Sequence, residues 1–112
     1  MNKKIDNMLD AIEQHKPFTS HNVKVIPEPY GSRIFLFNKL FAIVDTDKQE
    51  LFIDPSKLTK TVMKYVQSLL YYFGLDIYIY ANKEKHLFLK DNEIISTDFL
   101  LVDYGEFKYE KI

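Results

Sequence analysis

The residues of this chain whose types and spacing could do chemistry are mainly carboxylates. The segment DTDKQELFID places four of them at positions 45, 47, 50 and 54. A calcium-binding loop needs oxygen ligands at alternate positions, a glycine at its sharp turn and a late glutamate. The segment contains no glycine, and we interpret it as a solvated turn followed by a strand rather than as a calcium site.

A second acidic pattern lies near the C-terminus. Glu106 and Lys108, together with Asp91 or Asp98, loosely match the acidic–acidic–lysine pattern of certain nucleases. Those enzymes hold Mg²⁺ between carboxylates beside an activating lysine. So short a pattern occurs often by chance, and no helix and strand scaffold surrounds it. We therefore do not predict a nuclease site.

Histidine, cysteine and glycine do not point to catalysis either. The histidines stand at positions 15, 21 and 86, and no two have the i, i+4 spacing of metal ligands on one helix face. Cysteine is absent, which excludes a disulfide, a thiolate metal ligand and a cysteine nucleophile. Three glycines are too few for a phosphate-binding loop. We expect no catalytic residue, no metal and no cofactor, and so a protein that is not an enzyme.

The segment KLTKTVMKYVQSLLYYFG, residues 57–74, is better suited to binding than to catalysis. Wound as a helix, it places an apolar stripe on one side and a polar face on the other. The polar face and its margin carry Lys57, Lys60, Lys64, Tyr71 and Tyr72. This face is either an ordinary solvated surface, on which lysine stems cover apolar neighbours, or a contact surface for protein or phosphate. A phosphate-binding surface usually has several arginines, and Arg33 is the only arginine in this sequence.

The strand-like segments are apolar on both faces. Ile34 alternates with Phe35, and Ile77 and Ile79 alternate with Tyr78 and Tyr80. An antiparallel sheet with one wet face normally alternates apolar with polar residues. Two helices can cover two such faces only in part, so we predict an exposed aromatic surface, and such surfaces mark interaction sites.

The acidic residues near the C-terminus form a separate candidate surface. Residues 91–106 contain five carboxylates and neither lysine nor arginine. This stretch is either a solvated edge or a surface that engages a basic groove, since charge complementarity steers encounter and sets orientation.

The elements that must position these residues predict an α+β fold. A chain of 112 residues with 46% hydrophobic residues and a net charge of -1 is one domain, spanning 1–112. The patterns predict an N-terminal helix over 2–15 and a three-strand antiparallel meander with its first turn at Asn38-Lys39. A central helix follows from Asp54-Pro55 to Gly74. A second hairpin and one or two C-terminal strands complete the fold.

The N-terminus lacks the continuous apolar run of a secretory signal. Other apolar runs are far shorter than the ~20 residues needed to cross a bilayer. We expect a cytoplasmic protein that does not associate with membranes.

The order of elements over residues 31 to 74 carries a resemblance. The meander SRIFLFNKLFAIVDTDKQELFID contains the step Ala42-Ile43, and the next segment, PSKLTKTVMKYVQSLL, has a serine and threonine helix start from Ser56 to Thr61. This arrangement resembles small accessory proteins of phages and mobile elements of Gram-positive bacteria, a group that includes anti-CRISPR and host-takeover proteins. The resemblance implies a mobile-element protein and transfers no functional residue.

We therefore predict a non-enzymatic protein-binding module that inhibits a host protein by steric occlusion. A homodimer is another use of the apolar surface. The alternative function is single-stranded nucleic-acid binding, in which sheet aromatics stack bases beside the lysines. The residues expected to make the contact are Arg33, Lys57, Lys60, Lys64, Tyr71, Tyr72, Tyr78, Tyr80 and Phe88.

Overall fold

The computed structural model describes residues 3–56, 61–82, 85–105 and 108–109, and in them the chain forms two helices and ten strands. The helices are α1 (Lys3–Gln14) and α2 (Val62–Tyr72). The strands are β1 (Phe18–Thr19), β2 (Val23–Glu28), β3 (Gly31–Leu36), β4 (Lys39–Asp45), β5 (Glu50–Ile53), β6 (Tyr78–Asn82), β7 (Lys85–Lys90), β8 (Glu93–Thr97), β9 (Leu100–Asp103) and β10 (Lys108–Tyr109).

The strands build two antiparallel sheets. The large sheet has seven strands in the order β1-β2-β3-β4-β5-β9-β10, and the small sheet has three in the order β6-β7-β8. The predicted α+β class, the N-terminal helix, the meander (β3, β4 and β5), the central helix and the second hairpin are confirmed. The C-terminal tail adds β8 to the second hairpin and then returns to the large sheet as β9 and β10.

Helix α1 forms because apolar residues recur on one of its faces. Met8, Ala11 and Ile12 are buried, Ile5 and Leu9 pack against the core at its edge, and the charged residues of the opposite face are exposed. The helix ends where His15 takes a positive φ of 52°. Nε2 of His15 then lies 2.7 Å from the Glu28 carbonyl oxygen, which ties the helix end to the β2–β3 hairpin.

The β3–β4 hairpin closes one residue earlier than the sequence predicts. Its two turn residues are Phe37 and Asn38, with φ of 51° and 64°, and Lys39 already pairs with Leu36. A turn with positive φ at both central residues matches the right-handed twist of the two strands. Asparagine tolerates this conformation readily, whereas an aromatic residue adopts it seldom. The predicted turn at Asn38-Lys39 is therefore wrong by one position.

Strand β4 contains a bulge at Phe41. Ile34 pairs with Ala42 and Phe35 pairs with Leu40, so Phe41 is the extra residue between them. Its side chain is fully buried. A bulge re-aims a side chain and bends its strand, and here it adds a phenylalanine to the core.

Helix α2 begins later than the sequence predicts. Asp54 does not cap the helix: its Oδ1 accepts the N–H of Ser56, two residues on, at 3.1 Å and closes a local turn. Within the described residues the helix starts at Val62, so the predicted start at Asp54-Pro55 is wrong. Its end is as predicted, since Gly74 has a φ of 71° and its N–H donates to the Tyr71 carbonyl.

One hydrophobic core joins the helices and both sheets. Buried side chains of α1 and α2 pack with those from one face of the large sheet and one face of the small sheet. Tyr65 of α2 is buried and is part of this core, although helical spacing places it at the margin of the polar face. No helix in the described part of the chain is long and apolar enough to span a membrane.

Candidate protein-binding surface

The two faces of the large sheet differ sharply in burial. Side chains alternate across a strand, and the buried strand residues lie on the side that packs against the helices. This inner face includes Val23, Val25, Ser32, Ile34, Leu36, Ala42, Val44, Leu51, Ile53, Leu100 and Val102. The side chains that alternate with these across the centre of the sheet point outward and remain partly exposed to solvent: Ile26, Arg33, Ile43, Phe52 and Leu101. We call this outward side the open face.

Strand register aligns the apolar residues of the open face in one row. Ile26 pairs with Arg33, Arg33 with Ile43, Ile43 with Phe52, and Phe52 with Leu101. This central row crosses five strands, and four of its five side chains are apolar. Neighbouring strands lie about 4.8 Å apart, so the row is roughly 19 Å long.

Further apolar side chains widen the central row. Phe35 pairs with Leu40 on the next register level, and Leu40 is exposed. The Phe99 ring centroid lies 6.2 Å from that of Phe52 at a tilt of 39°. The open face is therefore a continuous apolar surface with three phenylalanines rather than a set of isolated residues. Contiguous surfaces of this kind mark interaction sites.

A row of carboxylates borders the open face at one end of the strands. Glu28 pairs with Gly31, Gly31 with Asp45, Asp45 with Glu50, and Glu50 with Asp103. We call the four carboxylates Glu28, Asp45, Glu50 and Asp103 the acid row. Glycine leaves a gap in it at β3.

The acid row is held in place by hydrogen bonds. Oδ1 of Asp45 accepts the Lys48 N–H at 2.9 Å, and Oδ1 of Asp103 accepts the Gly105 N–H at 2.9 Å. These bonds fix the positions of the two carboxylates relative to the central row, and the carboxylates remain charged. The carboxylates at 45 and 54 both close local turns, which agrees with a solvated turn in this segment.

Arg33, which belongs to the central row, also contacts the acid row. Its guanidinium donates to Oε1 of Glu28, with Nε and Nη2 both 2.8 Å away, and its central carbon lies 5.5 Å from the Phe35 ring centroid. Among the open-face side chains that the structure describes, Arg33 and Lys24 supply two positive charges against the four carboxylates of the acid row.

The structure disperses the lysines and tyrosines that the sequence singles out. Lys57 and Lys60 lie outside the described residues, while Lys64 is exposed on α2. Lys64 shares a shallow depression with Lys3 and Lys4 of α1. Arg33 lies on the open face, far along the chain from the helix.

Tyr72 is not a free surface residue. It is half-buried and packs edge-on against Phe73, whose ring centroid is 5.0 Å away, and Phe73 in turn lies 4.4 Å from Tyr104. Burial, and then the charges of Glu13 and Asp10, raise the pKa of Tyr72. Its ring therefore belongs to the packing between the helices and the large sheet.

Tyr71, Tyr78 and Tyr80 are exposed, by 84%, 51% and 53% respectively. Tyr78 and Tyr80 point outward from the small sheet, opposite Leu89 and Leu87 of β7. Tyr71 and Tyr78 line one cleft between α2 and β6. The structure thus brings together two of the predicted tyrosines.

Phe88 does not join those tyrosines on the exposed side. It is fully buried and pairs with Ile79, whose side chain points into the core. Because paired residues share a face, Phe88 lies on the opposite side of the sheet from Tyr78 and Tyr80. The prediction of a three-ring stacking platform is therefore wrong.

Apart from Arg33, the residues of the open face were not among the predicted contact residues. Ile26, Ile43, Phe52 and Leu101 are ordinary strand residues by type, and only the pairing register places them in one row. The only sign of this surface in the sequence was that the strands of the meander carry apolar residues on both faces. In the described ranges, no group of three or more histidine or acidic residues could hold a metal ion.

No protein-family model, curated protein or solved structure matches this chain.

Proposed function

We propose that this protein is a non-enzymatic binding module whose open face docks on another protein. The observation that supports this most directly is the central row, in which Ile26, Ile43, Phe52 and Leu101 stay partly exposed across five paired strands. Burying such side chains contributes about 25 cal/mol per Å² of apolar area. A rigid sheet also loses little conformational freedom on binding.

Charge favours a foreign partner over a second copy. Two open faces stacked on each other would join two surfaces on which the described carboxylates outnumber the described cations, and Arg33 already has Glu28 as its ion-pair partner. A partner with an apolar centre and lysine or arginine along one border would match both the central row and the acid row. Charge matching of this kind mainly sets orientation and association rate.

The proposed mechanism is steric occlusion in the cytoplasm. Covering a partner's apolar and basic surface prevents that surface from reaching its own ligand, and no chemical step is needed. The resemblance to accessory proteins of phages and mobile elements suggests a host protein, including a defence protein, as the partner. Basic surfaces that bind nucleic acid belong to the class that this face complements.

A pair of designed peptides tests the proposed partner chemistry. Both peptides form amphipathic helices with the same leucine-rich face, one flanked by lysines and the other by glutamates. Isothermal titration should show that the lysine peptide binds and that adding salt weakens it, because the acid row is screened. The glutamate peptide should bind at least about tenfold more weakly.

One open-face variant and one small-sheet variant supply the control. Ile43→Thr with Phe52→Thr removes apolar area but keeps strand-forming residues, and it should abolish binding of the lysine peptide. Tyr80→Thr, on the small sheet, should not. Equal binding of both peptides, or binding unaffected by the open-face variant, contradicts the proposal. A concentration-dependent dimer that the same variant dissolves would instead assign the face to a second copy.

Nucleic-acid binding is the second candidate, and one observation favours it. Lys3, Lys4 and Lys64 line a common depression and gather positive charge at one place. A labelled single-stranded oligonucleotide should then bind in low salt and dissociate steeply as salt rises. Replacing the three lysines with glutamine should abolish this binding while leaving the lysine-peptide titration unchanged. Failure of the oligonucleotide to bind at low salt would eliminate this candidate.

A further inference from the structure

The cleft between the end of α2 and the start of β6 has a volume of about 460 Å³. We call it the tyrosine cleft. It is lined by Gln67, Tyr71, Gly74, Leu75, Asp76 and Tyr78. Its size is within the range of sites that hold a small ligand or a side chain of a partner protein.

Two aromatic side chains and one aliphatic side chain supply the apolar surface of the cleft. Tyr71 and Tyr78 are both largely exposed, and Leu75 between them is buried. Tyrosine rings carry negative charge on their faces and attract cations that approach within about 6 Å of the ring centre. The apolar lining therefore favours a cation over an anion.

The charges around the cleft are negative and also favour a cation. Asp76 is exposed and contributes a carboxylate, and none of the lining residues is basic. The cleft also lies at the C-terminal end of α2, where the helix dipole places partial negative charge. No basic residue occupies the last turn of α2 to neutralise it.

Several donors at the cleft are engaged within the protein. The N–H groups of Gly74 and Leu75 donate to the carbonyls of Tyr71 and Leu70 at the helix end. The side-chain nitrogen of Gln67 donates to the Ile77 carbonyl at 3.0 Å. An anion such as a phosphate would find no positively charged side chain among the lining residues.

We propose that the tyrosine cleft binds a cationic group, namely the ammonium or guanidinium head of a lysine or arginine from a partner protein. Tyr71 and Tyr78 flank the cation, and Asp76 with the end of α2 supplies the opposing charge. The site is built on α2 and β6, so it does not depend on the open face.

Asp76 and Tyr78 are already connected. Hydrogen bonding to the nearby Asp76 carboxylate, and then the charge of that carboxylate, raise the pKa of Tyr78 above its usual value. The phenol is therefore neutral at physiological pH, and the carboxylate stays charged near the ring. A carboxylate has further lone pairs with which to accept from a cation.

Titration with small probes, followed by NMR of the tyrosine rings, tests the site. The cationic probes are N-acetyl-arginine amide, N-acetyl-lysine amide and choline. The neutral probe is 3,3-dimethyl-1-butanol, which matches choline in shape but has no charge. Ionic strength is held constant with sodium chloride. Cationic probes should shift the ring resonances of Tyr71 and Tyr78 saturably, and the neutral probe should not.

The arms of the experiment separate the sources of the cation. Stronger binding of the arginine or lysine probe than of choline supports a protein side chain as the natural ligand. Preference for choline would overturn that assignment in favour of a free quaternary ammonium ligand. Equal shifts with the neutral probe would show that charge has no role and would overturn the proposal.

Tyr80 provides a matched internal control. It lies on the same strand as Tyr78, is equally exposed, and does not line the cleft. Its resonances should stay in place, and Tyr80→Ala should leave the affinity unchanged. Asp76→Asn and Tyr71→Ala should each weaken the cationic probes by about two- to fivefold. Unchanged affinity for the cationic probes in both variants would contradict the proposed site. The comparison of charged and neutral probes is made on the unaltered protein, so it does not depend on whether the variants fold.

Discussion

The side-chain amide of Gln67 hydrogen-bonds to the backbone of Ile79 as a neighbouring strand would. Its side-chain oxygen accepts the Ile79 N–H at 3.1 Å, while its nitrogen donates to the Ile77 carbonyl at 3.0 Å. One amide thus satisfies both a donor and an acceptor on the side of β6 that has no strand partner. This contact joins α2 to the small sheet, and it accounts for a polar residue on a helix face that otherwise points to solvent.

Replacing Gln67 with leucine should lower the free energy of unfolding by about 1–3 kcal/mol, because the Ile79 N–H and the Ile77 carbonyl lose their partners. Urea denaturation measures the change. Amide hydrogen exchange at Ile79 should accelerate. Lys64→Leu, one turn earlier and exposed, should change stability by less than about 0.5 kcal/mol. Equal effects of the two changes would show that the Gln67 contacts do not stabilise the small sheet.

Gly31→Ala should destabilise the protein by about 2 kcal/mol or more. A Cβ at this position would collide with the backbone carbonyl of Val44, which cannot move unless β3 and β4 separate. Gly105→Ala is the matched control, because the nearest atoms to its Cβ belong to the flexible Gln49 side chain rather than to the backbone. The midpoint of thermal unfolding should fall much further for the first variant. Similar midpoints would contradict the close approach of the two strands.

Replacing either of two adjacent β5 residues with threonine should destabilise the protein by very different amounts. Ile53 is fully buried on the inner face, and Ile53→Thr should cost about 2–4 kcal/mol. Phe52 points outward, and Phe52→Thr should cost about 1 kcal/mol or less. Chemical denaturation of both variants compares the two faces directly. A larger loss for Phe52→Thr would mean that the open face is covered.

Tyr104 should make stability fall at alkaline pH. Burial raises its pKa above the usual 10.0, and the charges of Asp45, Tyr72 and Asp103 add to the shift. The folded state therefore holds the phenolic proton more tightly than the unfolded chain. The resulting stabilisation is fully present below about pH 10 and is lost as pH rises through the raised pKa.

The Tyr104→Phe variant cannot ionise at this position. Its melting temperature should fall less than that of the unaltered protein between about pH 9 and pH 11, as followed by circular dichroism. Tyr71→Phe, which changes an exposed ring, should retain the steeper fall. Parallel curves for Tyr104→Phe and the unaltered protein would refute the role of this group.

Local patterns in the sequence were sufficient to predict the elements of the fold. Alternating apolar residues indicated the meander, and Gly74 marked the end of α2 because a left-handed residue ends a helix there. The β3–β4 turn was misplaced because Phe37 adopts a positive φ that its residue type disfavours. The start of α2 was misplaced because Asp54 is engaged in a turn with Ser56.

The candidate site depended on pairing that no local pattern contains. Phe88 was expected at the contact surface, but its pairing with Ile79 places its side chain in the core. The central row likewise needs the register of five strands and the packing of both helices on the same side of the sheet. These are long-range choices, so the sequence could predict an exposed apolar surface but not its members.

The large sheet is bounded by β1 and β10, each of which has two residues in the described part of the chain. Such stubs offer very few backbone groups to a strand from a neighbouring molecule, and Pro27 removes one more donor beside β1. Growth into cross-β fibres requires long free borders, whereas stacking on a flat side produces assemblies that stop at a fixed size. The chain can therefore display phenylalanines to solvent with little risk of polymerising through its sheet.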